Sequence, residues 1–257
     1  MLFTTTLLSS FIFSVIYPLC FWISFRDPLK NNFHRFHLAL PCIVGGIITI
    51  FIAKMEISGC LKRDVILWMT LLGACSFISW NKPYPKATLL TIPALYGLYI
   101  FAQLQNYFLR PDYALFFINV LSGIIFCSSL FAMNLGHWYL NVHGLPINHL
   151  MRSICVFWFF LFVRAVWDIF CIFSQKILYD GSMIPIPQFI MTIDGFLLLI
   201  ALFFGTIFPV FSVYFAYQTL KLKNTQSTTG ILYVILCSVL IGDIAYKYYA
   251  IKFGIIL

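Results

Sequence analysis

The chain of 257 residues is 62% hydrophobic and 9% charged, with a net charge of +8, whereas soluble domains carry about 25% charged residues. Mean hydropathy is +0.96, and no stretch is polar enough, for long enough, to form a soluble domain. Apolar runs near the ~20 residues that cross a bilayer as a helix recur along the whole length without alternating, which points to an all-α polytopic transmembrane bundle and away from a β-barrel.

Eight spans are expected within a single integral membrane domain, 1–257: roughly 6–25, 38–53, 65–80, 88–108, 114–140, 153–173, 188–216 and 230–252. The first lacks a basic leading region and a small-residue cleavage site, so it reads as a retained span rather than a removed signal peptide. The breaks have physical causes. "RDPLKNNFHRFH" is charged and carries Pro28, "NKPYPK" holds two prolines, and "LRPDY" sets Pro111 among charges. "DGSMIPIP" combines Gly181 with two prolines, and "KLKNTQSTTG" is the most hydrophilic stretch of the chain. Pro209, inside the seventh span, removes a helix hydrogen bond and should kink it.

An even number of spans places both termini on one side. The loops opposite the termini carry Arg26, Lys30, Arg35, Lys82, Lys86, Arg152, Lys221 and Lys223. The side of the termini carries Lys54, Lys62, Arg63, Arg110, Lys176 and Lys252. The excess of two basic residues assigns the termini to the non-cytoplasmic side. These charges sit singly or in small groups between apolar runs, where they meet lipid headgroups, and give no argument for nucleic acid. Eight cysteines form no CxxC pair and lie almost all inside apolar runs, so neither a disulfide framework nor a thiolate metal site is expected.

Ionisable groups inside spans are expensive in a bilayer and therefore informative. Arg164 and Asp168 lie in the sixth expected span, Asp194 in the seventh, and Asp243 and Lys247 in the eighth. At about 1.5 Å of rise per residue, Asp168 lies about 8 Å, Asp194 about 9 Å and Asp243 about 13 Å from the side of the termini. Arg164 and Asp168, like Asp243 and Lys247, are spaced to pair on one helix face. Asp194 has no local partner, and is expected to join Arg164 or to stay protonated. The set reads either as a proton or ion pathway or as two structural pairs with a helix-capping acid.

"MNLGHWYLNVHGLPINHLMR" gathers His137, His143, His149 and Arg152 between the fifth and sixth spans. Gly123, Cys127, Leu130, Asn134 and His137 make one narrow face of the fifth span, suited to close helix packing or to lining a polar site. Trp138 and Tyr139 are interfacial aromatics, and Asn148 is expected to cap the sixth span. Only His137 falls inside an expected span, with His34, His37, His143 and His149 in loops, so haem or metal ligation fits poorly. Asn134, His137, Trp138 and Arg152 are the candidate anchors for a quinone-like head group, against the alternative of a helix end with a headgroup-binding loop.

Motifs for phosphate binding, dinucleotide binding, serine hydrolysis and zinc proteolysis do not occur. The leading functional expectation is a membrane subunit of a redox or energy-conserving assembly, in an energy-conserving membrane. It would contact quinone and pass protons, with redox centres in partner subunits. The alternatives are a proton-coupled small-solute carrier, against which the lack of an internal repeat counts, and a non-catalytic assembly subunit.

Overall fold

A computed structural model describes residues 2–24, 33–82, 85–109, 111–142 and 145–257. Arg26, Pro28, Lys30, Arg110 and His143, named above, lie outside the described residues. The fold is an all-α polytopic bundle of about eight spans. Helix α1 (Leu2–Ile16) continues as a 3-10 turn over Tyr17–Ser24, where Pro18 interrupts the α ladder. Then follow α2 (Phe33–Lys54), α3 (Gly59–Trp80), α4 (Ala87–Phe108), α5 (Tyr113–Asn141) and α6 (Asn148–Ser174). A hairpin of β1 (Lys176–Tyr179) and β2 (Ser182–Pro185) leads to the short α7 (Ile186–Ile190). Helix α8 (Ile193–Leu202) runs through a π turn, Phe203–Ile207, into α9 (Phe208–Lys221), and α10 spans Thr225–Phe253.

Among the described residues, seven helical rods are long and apolar enough to cross a membrane; α8, the π turn and α9 together make one of them. The eighth rod, α3, is long enough but carries Lys62, Arg63 and Asp64 near its start, so its apolar part is short, as the expected 65–80 span already implied. Ser58 caps α3 by accepting the Leu61 N–H at 3.3 Å.

Three expected boundaries are corrected. The seventh span begins at Ile193, not 188, because α7 is a separate short helix and the Thr192 hydroxyl caps α8 by accepting the Gly195 N–H at 3.1 Å. The hydrophilic Thr225–Thr229 run is helix rather than loop. Asn224 caps it, and Thr228 and Thr229 donate their hydroxyls to the carbonyls of Asn224 and Thr225 at 2.8 and 2.7 Å, which hides their polarity inside the helix. Third, α2 begins at Phe33, five residues before the expected start, because Phe33, His34 and His37 are buried.

The chain divides into two compact units, residues 6–127 and residues 1–5 with 128–257, with the divisions falling inside α1 and α5. In the first unit α3 packs between α2 and α4. Trp68 of α3 is its anchor: the indole N–H donates to the Pro93 carbonyl at 3.1 Å, and the ring meets Phe11 at 4.6 Å between centroids. A Cβ on Gly97 would sit 2.6 Å from the Trp68 indole nitrogen, so only glycine admits the tryptophan there.

In the second unit α10 packs against α8, the π turn and α9, while α6 packs against α9 and α7. The π turn immediately precedes Pro209, and its wider bond runs from the Phe208 N–H to the Phe203 carbonyl. The Phe204 carbonyl accepts the Ser238 hydroxyl at 2.6 Å. Four residues further along α10, Gly242 lies so close to Gly205 that a Cβ on Gly242 would overlap the Gly205 backbone. We expect Gly242→Ala to destabilise the protein by about 1–3 kcal/mol, since a rigid backbone cannot give way as a side chain would. Gly73→Ala, which meets nothing within 4 Å, should be neutral or slightly stabilising. Thermal unfolding of both variants in mild detergent checks the contrast.

Candidate functional site

Helices α6 and α10 and the π turn each bring polar side chains to one buried point in the second unit. Arg164 and Asp168 are only 2% and 4% exposed, and the Arg164 Nε donates to Asp168 Oδ1 at 2.9 Å. The other carboxylate oxygen, Oδ2, accepts the Thr206 hydroxyl at 2.5 Å and the Tyr246 hydroxyl at 2.8 Å. Asp168 therefore receives three hydrogen bonds from three elements. The Arg164 guanidinium lies over the Tyr246 ring at 4.0 Å, a cation–π contact in a desolvated setting. It also donates to the Leu257 carbonyl at 2.5 Å.

That last contact belongs to a strap. Gly254 adopts the left-handed conformation (φ 69°) that ends α10 and turns the chain back. Gln175, at the end of α6, then holds Ile256 by both backbone groups, donating to its carbonyl at 3.2 Å and accepting its N–H at 3.3 Å. The Trp167 indole donates to the same carbonyl at 3.1 Å. Ile255, Ile256 and Leu257 are buried.

Asp243 and Lys247 pair as their spacing predicts, with Lys247 Nζ donating to Asp243 Oδ2 at 2.5 Å. Asp243 Oδ1 is buried, and has no hydrogen-bond partner among the described residues. These two pairs bring two cations and two anions to the interior of the second unit, yet the two carboxylates differ. Asp168 has both oxygens engaged. Asp243 keeps an open acceptor.

Asp194 does not join Arg164, and its expected depth is corrected. Because α8 starts at Ile193, Asp194 lies in the first helical turn rather than two turns in. Its carboxylate accepts the Tyr179 hydroxyl at 3.2 Å and Lys252 Nζ at 3.4 Å, and its backbone carbonyl accepts the Tyr249 hydroxyl at 2.5 Å. The pair with Lys252 is about half exposed, so water and salt screen it and it adds little to stability.

The histidine picture also changes. His34, His37 and His149 are in helices and buried, not in loops. His37 Nδ1 shares a hydrogen bond of 2.6 Å with the buried Tyr17 hydroxyl, and His34 Nε2 bonds the Trp80 carbonyl at 3.1 Å. Asn148 is the first residue of α6 rather than its cap, which falls at Ile147. His137 is exposed, and its Nδ1 meets the Tyr233 hydroxyl of α10 at 3.4 Å. Asn134 and Trp138 of α5 and Arg152 of α6 are half-buried. The expected polar face of α5 is not one surface. A Cβ on Gly123 would lie 2.9 Å from Ile12, and Cys127 donates to the Phe13 carbonyl at 3.7 Å, so that half is helix packing, while the His137 end is open. Among the described residues no three histidine, cysteine, aspartate or glutamate side chains converge as a metal ligand set.

Comparison with family models, curated proteins and solved structures finds no match.

Several site residues carry no charge and so escaped sequence reading: Thr206, Tyr246, Gln175 and Tyr233. Only Tyr246 left a signal in the sequence, since Ser238, Gly242, Tyr246 and Tyr249 recur at helical spacing along one buried stripe of α10. We expect Arg164→Ala to cost about 3–5 kcal/mol, because Asp168 would remain buried without its cation. The double variant Arg164→Ala with Asp168→Ala should be more stable than the single one. Melting temperatures and membrane expression levels of the two decide it; equal values would mean that the pair carries no coupling.

Proposed function

We propose that this protein is an integral membrane subunit of an energy-conserving or redox assembly, and that it passes protons through the second unit by way of Asp243. The observation that carries the reading is the contrast between two carboxylates on neighbouring helices. Asp168 has both oxygens taken up by Arg164, Thr206 and Tyr246. Asp243 shares one oxygen with Lys247 and offers the other to an incoming proton. Ionisable groups buried in membrane spans are costly and rare, and proton relays are among the functional sites they mark. The test is proton uptake by proteoliposomes of the natively purified protein, driven by a potassium diffusion potential and read with an internal pH dye. Asp243→Asn should cut the flux at least about tenfold, a barrier change of about 1.4 kcal/mol, while Asp194→Asn should leave it unchanged. Absence of flux, or equal flux in the Asp243 variant, overturns the reading. A flux that requires an added solute and no redox partner makes the protein a carrier instead.

A second observation supports contact with a quinone-like molecule. His137 and Tyr233 form an exposed hydrogen-bonding pair on adjacent helices, and an amphipathic head group needs few such anchors beside apolar walls. His137→Ala and Tyr233→Phe should each weaken binding of a short-chain quinone analogue several-fold, by about 0.5–1.5 kcal/mol per hydrogen bond lost. Both should leave the melting temperature near that of the unmodified protein, since neither side chain fills the core. Titration of the analogue against the purified protein, with unchanged affinity in both variants, would remove the quinone site.

A further inference from the structure

The segment between α6 and α8 is neither a span nor a polar loop. Its two strands pair antiparallel with Ile177 opposite Ile184 and Leu178 opposite Met183. Successive residues of a strand point to opposite faces, so the hairpin presents two apolar faces. The inner face is accounted for: Ile177 packs in one cluster with Ile186, Phe189 and Ile190. The outer face is not. Leu178 is 70% exposed and Met183 63%, and beyond the hairpin Met191 and Ile193 are 86% and 95% exposed.

A hairpin bathed in water would carry polar side chains on its outer face. This one instead extends the apolar surface of the spans that flank it. Phe170 and Phe173 at the end of α6, and Ile193, Phe196 and Leu197 at the start of α8, are all exposed. Those helix faces meet lipid by virtue of crossing the membrane, and the hairpin face continues them, with Ser174, Lys176 and Gln188 the exposed polar side chains between. Lys176 lies on the same strand face as Leu178, two residues away, where its ammonium can reach headgroups while its stem lies along the apolar surface. The tip is a tight Asp180-Gly181 turn with both residues at positive φ, 49° and 75°, so the face is rigid rather than adaptable.

We propose that the β1–β2 hairpin and α7 form an interfacial wedge. Its outer face, Leu178, Met183 and Met191, is sunk into the boundary between phospholipid headgroups and acyl chains, with Lys176 at the headgroup level. The wedge holds the α6 and α8 ends at a fixed depth, as amphipathic interfacial segments do.

The purified protein in nanodiscs of phosphatidylcholine and phosphatidylglycerol provides the test, since no partner subunit is then present. One arm uses a phospholipid with a diazirine near the top of its acyl chain, and maps the carbene adducts by mass spectrometry. The other adds hydrogen peroxide to the water and maps methionine oxidation. The wedge predicts adducts on the peptides carrying Leu178, Met183 and Met191 at a level comparable to the Phe196 peptide. It also predicts oxidation of Met183 and Met191 several-fold slower than in an unfolded control. Rapid oxidation without adducts would place the hairpin in water and overturn the proposal. Protection from both reagents would mean that a second copy of the chain covers the face, which overturns it as well.

Discussion

The second unit depends on one carboxylate. Asp168 takes hydrogen bonds from α6 itself, from the π turn and from α10, and it does so almost fully buried. A charge in that position is tolerable only if its partners are all in place. Arg164 is bound by the same condition: it answers Asp168, lies on Tyr246 and reaches the Leu257 carbonyl. Misplacing any one of α6, the π turn, α10 or the returning strap leaves a buried charge unanswered. The interaction therefore does less for raw stability than for the uniqueness of the packing, since an apolar contact would accept several alternative registers of these helices.

The π turn is where the helix backbone gives way to that demand. A regular α-helix through Phe203–Ile207 would set Thr206 at a different angle from Asp168. The added residue in the turn, ahead of Pro209, rotates it into line. The carbonyl of Phe204 in the widened turn is met by Ser238. Chemistry and irregularity coincide, as they commonly do where a helix departs from its ladder.

How much of this was legible in the sequence follows from what each signal is made of. Long apolar runs announce spans because a bilayer demands about 20 residues of them, and the bundle follows. The i,i+4 pairs Arg164–Asp168 and Asp243–Lys247 are local, so spacing alone predicts them. Asp194 was misplaced because the start of its helix depends on Thr192, a cap hidden in an apolar run. In the hairpin, Asp180-Gly181 between short apolar stretches is a turn signal in its own right; the two prolines that follow it, Pro185 and Pro187, mask it. Thr206 could not be found at all, because an uncharged hydroxyl gains meaning only when a distant helix brings a carboxylate beside it. The buried histidines show the reverse error: His34 and His37 look like surface residues in a basic stretch until Phe33, Tyr17 and the Trp80 carbonyl enclose them.

The meeting of Gly205 and Gly242 has a mechanical consequence. With no side chain between them, α10 and the α8–α9 rod touch backbone to backbone, and each residue to either side of the contact is bulkier. Translating one helix past the other would drive a side chain into that gap, so sliding is blocked in both directions. Tilting about the point of contact requires no such collision. The crossing is thus a pivot, with Tyr246 and Asp243 on one lever arm and the Thr219–Thr228 hydroxyl contact, 2.9 Å apart, on the other. A movement of α10 against the α8–α9 rod would therefore be a rocking one, with the two ends of α10 moving in opposite senses.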